Sequence, residues 1–515
     1  MNVISCFLEQ ADKFPDKTAI FIGEEDISYS DLAAMIRRTS GALHQVGVKS
    51  GSHIGLLLHN SIEFVTVMLA AADLGATIVP LNSSISYDDF KTAINTTDIN
   101  YVIGWHAALK GLLSGQIKEI DLTPENCISV GGSLNNYLVF NELLDRCPDE
   151  YRLGKNPIDV ENDFILTMTS GSTSAPKPIV FTQGTKIRRC NGAQELYGIT
   201  SDEVILVATP LYHSISQRLV LLPLLTGATS VIMTKFTVMN WLTQVEKYKV
   251  TFTIAISSQL ENILSSIEID KQNLSSLRCV VSCCAFLKPY ARTRLIEELQ
   301  CDFHECYGAS ELGIISNIIS TDALARRFSV GVAVIGAEIM IVDEDRKQVP
   351  PGTVGEISCK SVMRFSRYYN NKQATKNSML GDYFLTGDMG YLDDAGYLYF
   401  SGRKKEIIIS GGTNIYPKDI EIVLNKHPSV KDSAVIGVDH DRLGEAVLAL
   451  ILLNKDAEVT VHELQHFCLH RLADYQQPLK YKFLDDFPRS GLGKVLKQKL
   501  VEAFIGEKVE VKDAF

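Results

Sequence analysis

Residues 169–177 read Thr-Ser-Gly-Ser-Thr-Ser-Ala-Pro-Lys, a loop dense in hydroxyls that ends on a lysine. Backbone N–H groups around Gly171 and the hydroxyls of Thr169, Ser170, Ser172 and Thr173 can wrap phosphate oxygens, and Lys177 adds a positive charge. A Walker A loop ends in glycine, lysine and Ser/Thr and opens a helix. Here Pro176 and Pro178 bracket the lysine. Proline lacks the N–H and disfavours helical backbone before it, so no helix starts there. The apolar run at 163–168 and the β-prone run at 179–182 predict a loop that joins strand to strand. Taken alone, a Ser/Thr-rich surface turn would read the same way.

Other segments carry compatible chemistry. Tyr307-Gly-Ala-Ser-Glu311 offers a ring to stack on a base, a hydroxyl to reach a phosphate and a carboxylate suited to magnesium. Asp388, in Thr386-Gly-Asp388, can accept hydrogen bonds from ribose hydroxyls, or can be a turn or cap aspartate. Gly402-Arg403 follows closely. Near the end, Pro488-Arg-Ser-Gly-Leu-Gly-Lys494 flanks a lysine with glycine, which lets it swing into a site or lie solvated.

These groups need a scaffold, and the chain has the apolar content to build one. It has 515 residues, 46% of them hydrophobic and 22% charged, too long for one ordinary core. Helical patterns at 31–46 and 63–74 alternate with strand patterns at 53–58, 77–81, 204–208, 229–233 and 251–256. This predicts an α/β architecture with largely parallel sheets. The texture changes at Ser401-Gly-Arg-Lys-Lys-Glu406. Beyond it, Pro417 is expected to open a helix, 434–438 and 447–453 to form strands, and 461–472 a further helix. We therefore expect a large unit over 1–401, a hinge at 402–405 and a small unit over 406–515.

The net charge of -11 disfavours a general nucleic-acid surface. The first basic residue is Lys13, which argues against a secretory leader, and no apolar run reaches the length of a membrane span. The eleven cysteines lack Cys-x-x-Cys spacing and are odd in number. That favours buried thiols in a reducing, cytoplasmic setting.

In this order the segments resemble the adenylate-forming superfamily: acyl-CoA synthetases, aryl-CoA ligases, peptide-synthetase adenylation domains and luciferases. The resemblance spans nearly the whole chain. It includes Gly75-Ala-Thr-Ile-Val-Pro-Leu-Asn82, Pro210-Leu-Tyr-His213, Ser282-Cys-Cys-Ala-Phe-Leu287, Gly355-Glu-Ile357, Gly411-Gly-Thr-Asn-Ile-Tyr-Pro417 and Gly444-Glu445. It implies a large domain of mixed sheets with a distorted β-barrel, hinged to a small α+β domain. It also implies ATP-dependent acid–CoA ligation: a carboxylate attacks the α-phosphate of ATP, and a thiol then displaces AMP.

The resemblance further implies residue roles. The 169–177 loop would hold the β- and γ-phosphates. Cys306, Tyr307 and Gly308 would line the adenine and Ser310 would touch the α-phosphate. Glu311, with Thr169, would bind magnesium. Asp388 and Arg403 would take the ribose, and Lys494 the reacting carboxylate and α-phosphate. His213 would border the acyl or the pantetheine site, Cys284 and Ala285 the acyl pocket or the adenine, Gly411 and Gly412 the pantetheine tunnel of coenzyme A, and Lys405 would be the hinge.

The chain departs from the pattern at Ser174 and Pro178, where glycines are usual, and at Gln183, where a histidine often stands. Cys283-Cys284 replace a glycine pair, Ser257 a proline and Gln476 a lysine. The segment 211–218 lacks the aspartate that binds an α-ammonium, which disfavours an amino acid. The end at Phe515 leaves no room for an integral carrier domain. An enzyme loading a separate carrier protein and a non-catalytic binding protein remain the alternatives to a CoA ligase. The acid itself and the choice between monomer and dimer stay open.

Overall fold

A computed structural model describes residues 1–113, 122–134, 136–147, 151–168, 177–326, 328–490 and 493–504. Positions 169–176 of the phosphate loop fall outside the described residues, and with them the expectations for Thr169, Ser170, Gly171, Ser172, Thr173 and Ser174. The strands on either side are described. Asp163–Thr167 pairs antiparallel with Ile179–Thr182, so the loop does connect strand to strand.

Three sheets are drawn from residues 1–403. One has nine strands, of which six pair in parallel, from Thr18–Ile22 through Val204–Val207 to Asp302–Ala309. A second has eight strands and carries the loop's two strands toward one edge. Buried strands read as continuous apolar runs, as Phe252–Ile256 and Cys279–Cys283 do, because helices cover both faces. The third sheet is antiparallel throughout. Register shifts between Glu356 and Ser358 and between Met389 and Gly390 distort it. Asp388 lies inside its long strand Tyr383–Leu392 rather than in a turn.

A fourth sheet is built only from residues 408–483, around the hairpin Val430–His440 and Gly444–Leu453. Pro417 opens the helix Pro417–Leu424 as expected, since its missing N–H would have no helical acceptor. The strand Leu398–Arg403 runs through the start of the expected hinge and still pairs with Tyr383–Leu392.

The helices are capped as their sequences dictate. Ser28 Oγ accepts the Asp31 N–H at 3.1 Å to start Tyr29–Gln45. Thr182 Oγ accepts the Thr185 N–H at 3.1 Å to start Gln183–Tyr197. Ile62–Leu74 is apolar on nearly every face and is buried, packed against Val3–Lys13, Tyr29–Gln45 and Thr77–Pro80. Among the described residues no helix is long and apolar enough to cross a membrane, and all eleven cysteines are free thiols.

Candidate active site

The expected nucleotide groups converge from three sheets. Tyr307 leaves the end of the strand Asp302–Ala309, whose register shifts at Gly308. A Cβ on Gly308 would sit 2.1 Å from the Gly313 carbonyl, so only glycine fits the hairpin. The Tyr307 hydroxyl donates to Asp388 Oδ2 at 2.7 Å. Arg403, paired in register with Asp388, brings Nε to 3.5 Å of Oδ1. Burial raises the Asp388 carboxyl, and Arg403, the Tyr307 hydroxyl and Lys494 act against that rise. Cys306 lies beside them, its thiol pushed up to about 12 by burial and therefore neutral.

Glu311 occupies a separate corner. Its carboxylate accepts the Tyr368 hydroxyl at 2.7 Å, and Lys177 Nζ lies 5.9 Å from the centre of the Tyr368 ring. Tyr368 sits on the short strand Arg367–Tyr368, which pairs with the loop's exit strand. Tyr369 N–H donates to the Pro178 carbonyl at 2.9 Å. Thus Lys177, Tyr368 and Glu311 form one line. Among the described residues no cluster of three or more His, Cys, Asp or Glu could cage a metal. Magnesium at a nucleotide needs less, one or two carboxylates and the substrate's phosphates, and Glu311 fits that donor set.

Lys494 comes from the other side. Gly493, at φ 74°, turns the chain, and Lys494 N–H donates to Ser490 Oγ at 3.2 Å. The loop tip touches the large unit, since a Cβ on Gly493 would meet Ser258 Oγ at 2.7 Å. Much of the Lys494 surface is open to the cleft, yet protein surrounds it. Desolvation first, then Arg403, pulls its ammonium down to about 8, against the pull of Glu406 and Asp388. Lys494 is thus in electrostatic contact with Asp388 and Arg403 in this structure.

Of the acyl-side candidates, Cys284 and Ala285 lie just beyond the end of Cys279–Cys283, whereas His213 belongs to another segment. Cys284 has φ 73°, the left-handed region that suits glycine, and its Sγ lies 3.7 Å from that of Cys283. The contact with Cys283 lowers the Cys284 thiol, and Lys494 and Arg218 lower it further. Ser257 Oγ bonds the Cys283 carbonyl at 3.2 Å and also the Ala285 carbonyl, fastening this turn in the way a proline could not. His213 precedes the helix Ser214–Thr226, packs against Tyr212 at 4.2 Å between ring centres, and has a buried Nε2 without a hydrogen-bond partner. Burial pushes it down to about 4, so it is a neutral imidazole.

Lys405 and its neighbours lie in a single turn, Lys404–Glu406. Lys404 Nζ reaches Glu356 Oε2 of the third sheet at 2.8 Å, whereas Glu406 faces Lys497 of the small unit at 3.6 Å. Gly411 and Gly412 have φ 57° and 82° and lie on the fourth sheet's turn, away from the Asp388–Lys494 cluster in sequence and sheet.

Several positioning residues escaped the sequence reading. Tyr368 is one. Arg189 is another: its Nη2 donates to the Ser310 carbonyl at 2.8 Å and its Nε to the Met363 carbonyl at 2.9 Å. Gln183 is a third. It accepts the Val3 N–H at 2.9 Å and donates to the Ala72 carbonyl at 2.8 Å, a buried staple in place of the expected histidine. Gln476, by contrast, only closes its own turn, by accepting the Ala473 N–H.

This fold and this cleft define an AMP-binding enzyme. Residues 7–369 match the family model described as AMP-binding enzyme, and residues 419–494 match the AMP-binding enzyme C-terminal domain, so the chain belongs to that family. An indoleacetate–CoA ligase of Aromatoleum aromaticum is 30% identical, over 94% of each chain. A 2-succinylbenzoate–CoA ligase of Bacillus cereus is 28% identical, over 96% of this chain and 97% of that one. Among solved structures, the O-succinylbenzoate coenzyme A synthetase of Bacillus subtilis in complex with ATP and magnesium superposes with a TM-score of 0.86. It is 25% identical over 96% of this chain and 98% of that chain.

Proposed function

We propose that this protein is an ATP-dependent, AMP-forming acid–CoA ligase. The observation that carries the reading is the meeting of Tyr307, Asp388, Arg403 and Lys494 in one cleft, on a chain of this family. In the first step a carboxylate oxygen bonds to the α-phosphorus of ATP, the α–β phosphoanhydride breaks and pyrophosphate leaves. In the second the sulfur of coenzyme A bonds to the acyl carbon and the bond to AMP breaks.

The residue roles follow from charge and placement. The first step crowds two anions together, and Lys494 supplies fixed positive charge between them. Lys177, with residues 169–173, holds the departing phosphates. Glu311, with Thr169, would hold magnesium, whose charge neutralises the pyrophosphate. Tyr307, with Cys306 and Gly308 behind it, stacks on the adenine, and Ser310 faces the α-phosphate. Asp388 and Arg403 take the ribose hydroxyls. Cys284, Ala285 and His213 border the acyl group; a neutral His213 suits an uncharged part of it. Lys405 is the hinge, and a rotated small unit brings Gly411 and Gly412 to the pantetheine arm.

The two relatives are named for acids that bear an aromatic ring, so aryl acids head the list to test. ATP–pyrophosphate exchange across short, long, aromatic and dicarboxylic acids is the deciding measurement, followed by thioester detection with coenzyme A. We expect exchange with at least one acid and thioester formation on adding coenzyme A. Absence of exchange with every acid would sink the reading. Exchange with transfer only to isolated carrier proteins would move the acceptor from coenzyme A to those proteins.

A further inference from the structure

Cys283 and Cys284 are neighbours in sequence, one at the end of the strand Cys279–Cys283 and the other just beyond it. Successive side chains of an extended strand point to opposite faces, which would hold two adjacent thiols apart. Here the chain turns instead. Cys284 has φ 73°, and an extended residue followed by a left-handed one is the pattern of the two central residues of a type II turn. The two sulfurs come to 3.7 Å of each other. The turn is also held from outside: Ser257 Oγ, on the helix Ser257–Leu264, bonds the carbonyls of both Cys283 and Ala285.

The two thiols are chemically unequal. Among the eleven cysteines Cys284 alone is exposed, whereas Cys283 is 6% exposed. Cys283 Sγ lies between the Ala255 carbonyl, at 3.5 Å, and the Cys284 sulfur. Contact with Cys283 lowers the Cys284 thiol, and Lys494 and Arg218 lower it further, against the effect of burial. The same contact, and burial, raise Cys283 well above the usual thiol range. Cys284 is therefore the thiol that ionises first, and the thiolate is the nucleophilic form of cysteine. An accessible thiolate beside a second, protonated thiol is the arrangement of redox-sensing cysteines.

The turn lies against the loop of Lys494. Ser258 follows Ser257, and a Cβ on Gly493 would meet Ser258 Oγ at 2.7 Å. The loop that carries Lys494 thus rests on the residue next to the one that fastens Cys283 and Ala285. Covalent geometry decides how long a bridge between the two thiols would last. Adjacent Cα atoms are about 3.8 Å apart, closer than is usual across a disulfide. A bridge between neighbours is therefore strained, and strained, accessible disulfides are the readily reduced ones.

We propose that Cys283 and Cys284 form a reversible dithiol–disulfide site at the edge of the cleft, oxidised by hydroperoxides and reset by thiols. With hydrogen peroxide, the Cys284 thiolate bonds to one oxygen and the O–O bond breaks. The other oxygen leaves as hydroxide and takes a proton, and Cys284 becomes a sulfenic acid. The Cys283 sulfur then bonds to the Cys284 sulfur and the S–O bond breaks. The second hydroxide leaves as water with the Cys283 thiol proton. Two thiols are oxidised to one disulfide while one peroxide is reduced to two waters. Closure draws the Cys284 sulfur toward the buried Cys283 and locks the turn. Under the ligase reading, on which this last step rests, the acyl side of the cleft changes shape and the reaction slows.

The test treats the full-length protein with hydrogen peroxide, stops the reaction with catalase, and blocks the remaining thiols with iodoacetamide in denaturant before tryptic mass spectrometry. We expect the peptide 279–292 to lose two hydrogens, to leave only Cys279 open to alkylation, and to regain alkylation at Cys283 and Cys284 after dithiothreitol. Cys284 should react at least about 10-fold faster than any other cysteine. In Cys283→Ser the two-hydrogen loss should vanish and dimedone should trap a sulfenic acid on Cys284. In Cys284→Ser, Cys283 should stay unmodified. If a serine variant does not fold, the wild-type peptide decides alone. A bridge from Cys284 to Cys306, a two-hydrogen loss that survives Cys283→Ser, or full alkylation of both thiols after excess peroxide would overturn the proposal. Pyrophosphate exchange should fall as the bridge forms and return with dithiothreitol; exchange unchanged in bridged enzyme would overturn the effect on the cleft. No exchange with any acid in the reduced enzyme would overturn the ligase reading, and the peptide mass would still decide the bridge.

Discussion

At the residue scale, Lys494 is the group proposed to carry the first half-reaction. Its ammonium is pulled to about 8 by desolvation and by Arg403, so the cationic form dominates below that value and is lost above it. The kcat/KM for pyrophosphate exchange reports the free enzyme and should therefore decline as pH rises through about 8. In Lys494→Ala that decline should vanish, and adenylation should drop about 100-fold or more, as expected for loss of a transition-state charge. Thioester formation from supplied acyl-AMP should be spared, and equal loss in both half-reactions would refute the assignment. A second residue-scale consequence lies at Cys284, a side chain held at φ 73°. Left-handed backbone costs a non-glycine residue about 1–2 kcal/mol, so Cys284→Gly should raise the urea midpoint of unfolding by a comparable increment. An unchanged midpoint would mean that the Cys283 contact and the Ser257 hydrogen bonds already offset the strain.

At the scale of elements, the strand that leaves the phosphate loop serves two purposes. Ile179–Thr182 carries Lys177 at its entry, pairs with Arg367–Tyr368 and ends on the cap of Gln183–Tyr197. These paired elements thus hold Lys177, the Glu311 partner Tyr368 and the buried Lys186 and Arg189. Gln183 ties this unit to the N-terminal helix Val3–Lys13 and to Ile62–Leu74. Gln183→Ala would leave the Val3 N–H and the Ala72 carbonyl buried and unpaired, which costs about 2–4 kcal/mol. The urea midpoint should fall accordingly, with a smaller effect on the KM for ATP. A large KM change at constant stability would instead make Gln183 a substrate contact.

For the whole molecule the question is how two half-reactions share one cleft. Lys494 reaches the Asp388–Arg403 pair in this arrangement, whereas Gly411 and Gly412 lie on the fourth sheet apart from it. The connecting turn is tied to one unit through Lys404–Glu356 and to the other through Glu406–Lys497. If Lys405 is the pivot, Lys405→Pro should block thioester formation from acyl-AMP and leave pyrophosphate exchange. Unimpaired thioester formation in that variant would remove the hinge from Lys405.

The alternation of apolar runs and helical patterns was enough to anticipate Asp163–Thr167, Ile179–Thr182, Ile62–Leu74 and the helix opened by Pro417, because local periodicity and proline chemistry decide such elements. The same sequence placed Asp388 beside a turn, since Thr-Gly-Asp is turn-like locally. Sheet pairing overrides that preference and carries a bulged strand through it. No expectation was attached to Lys186 and Arg189, whose burial on one face of Gln183–Tyr197 only the packing of that helix decides.

The sequence by itself determined the order of the chemical segments, the exclusion of a Walker loop by Pro176 and Pro178, and the α/β alternation, all properties of neighbouring residues. Tertiary structure alone decided that Tyr307 bonds Asp388, that Tyr368 stands between Lys177 and Glu311, and that Lys186, Arg189 and Arg218 pack around one point. Which face of a helix is buried, and which distant groups meet there, depends on how sheets and helices pack, and no local pattern carries that information.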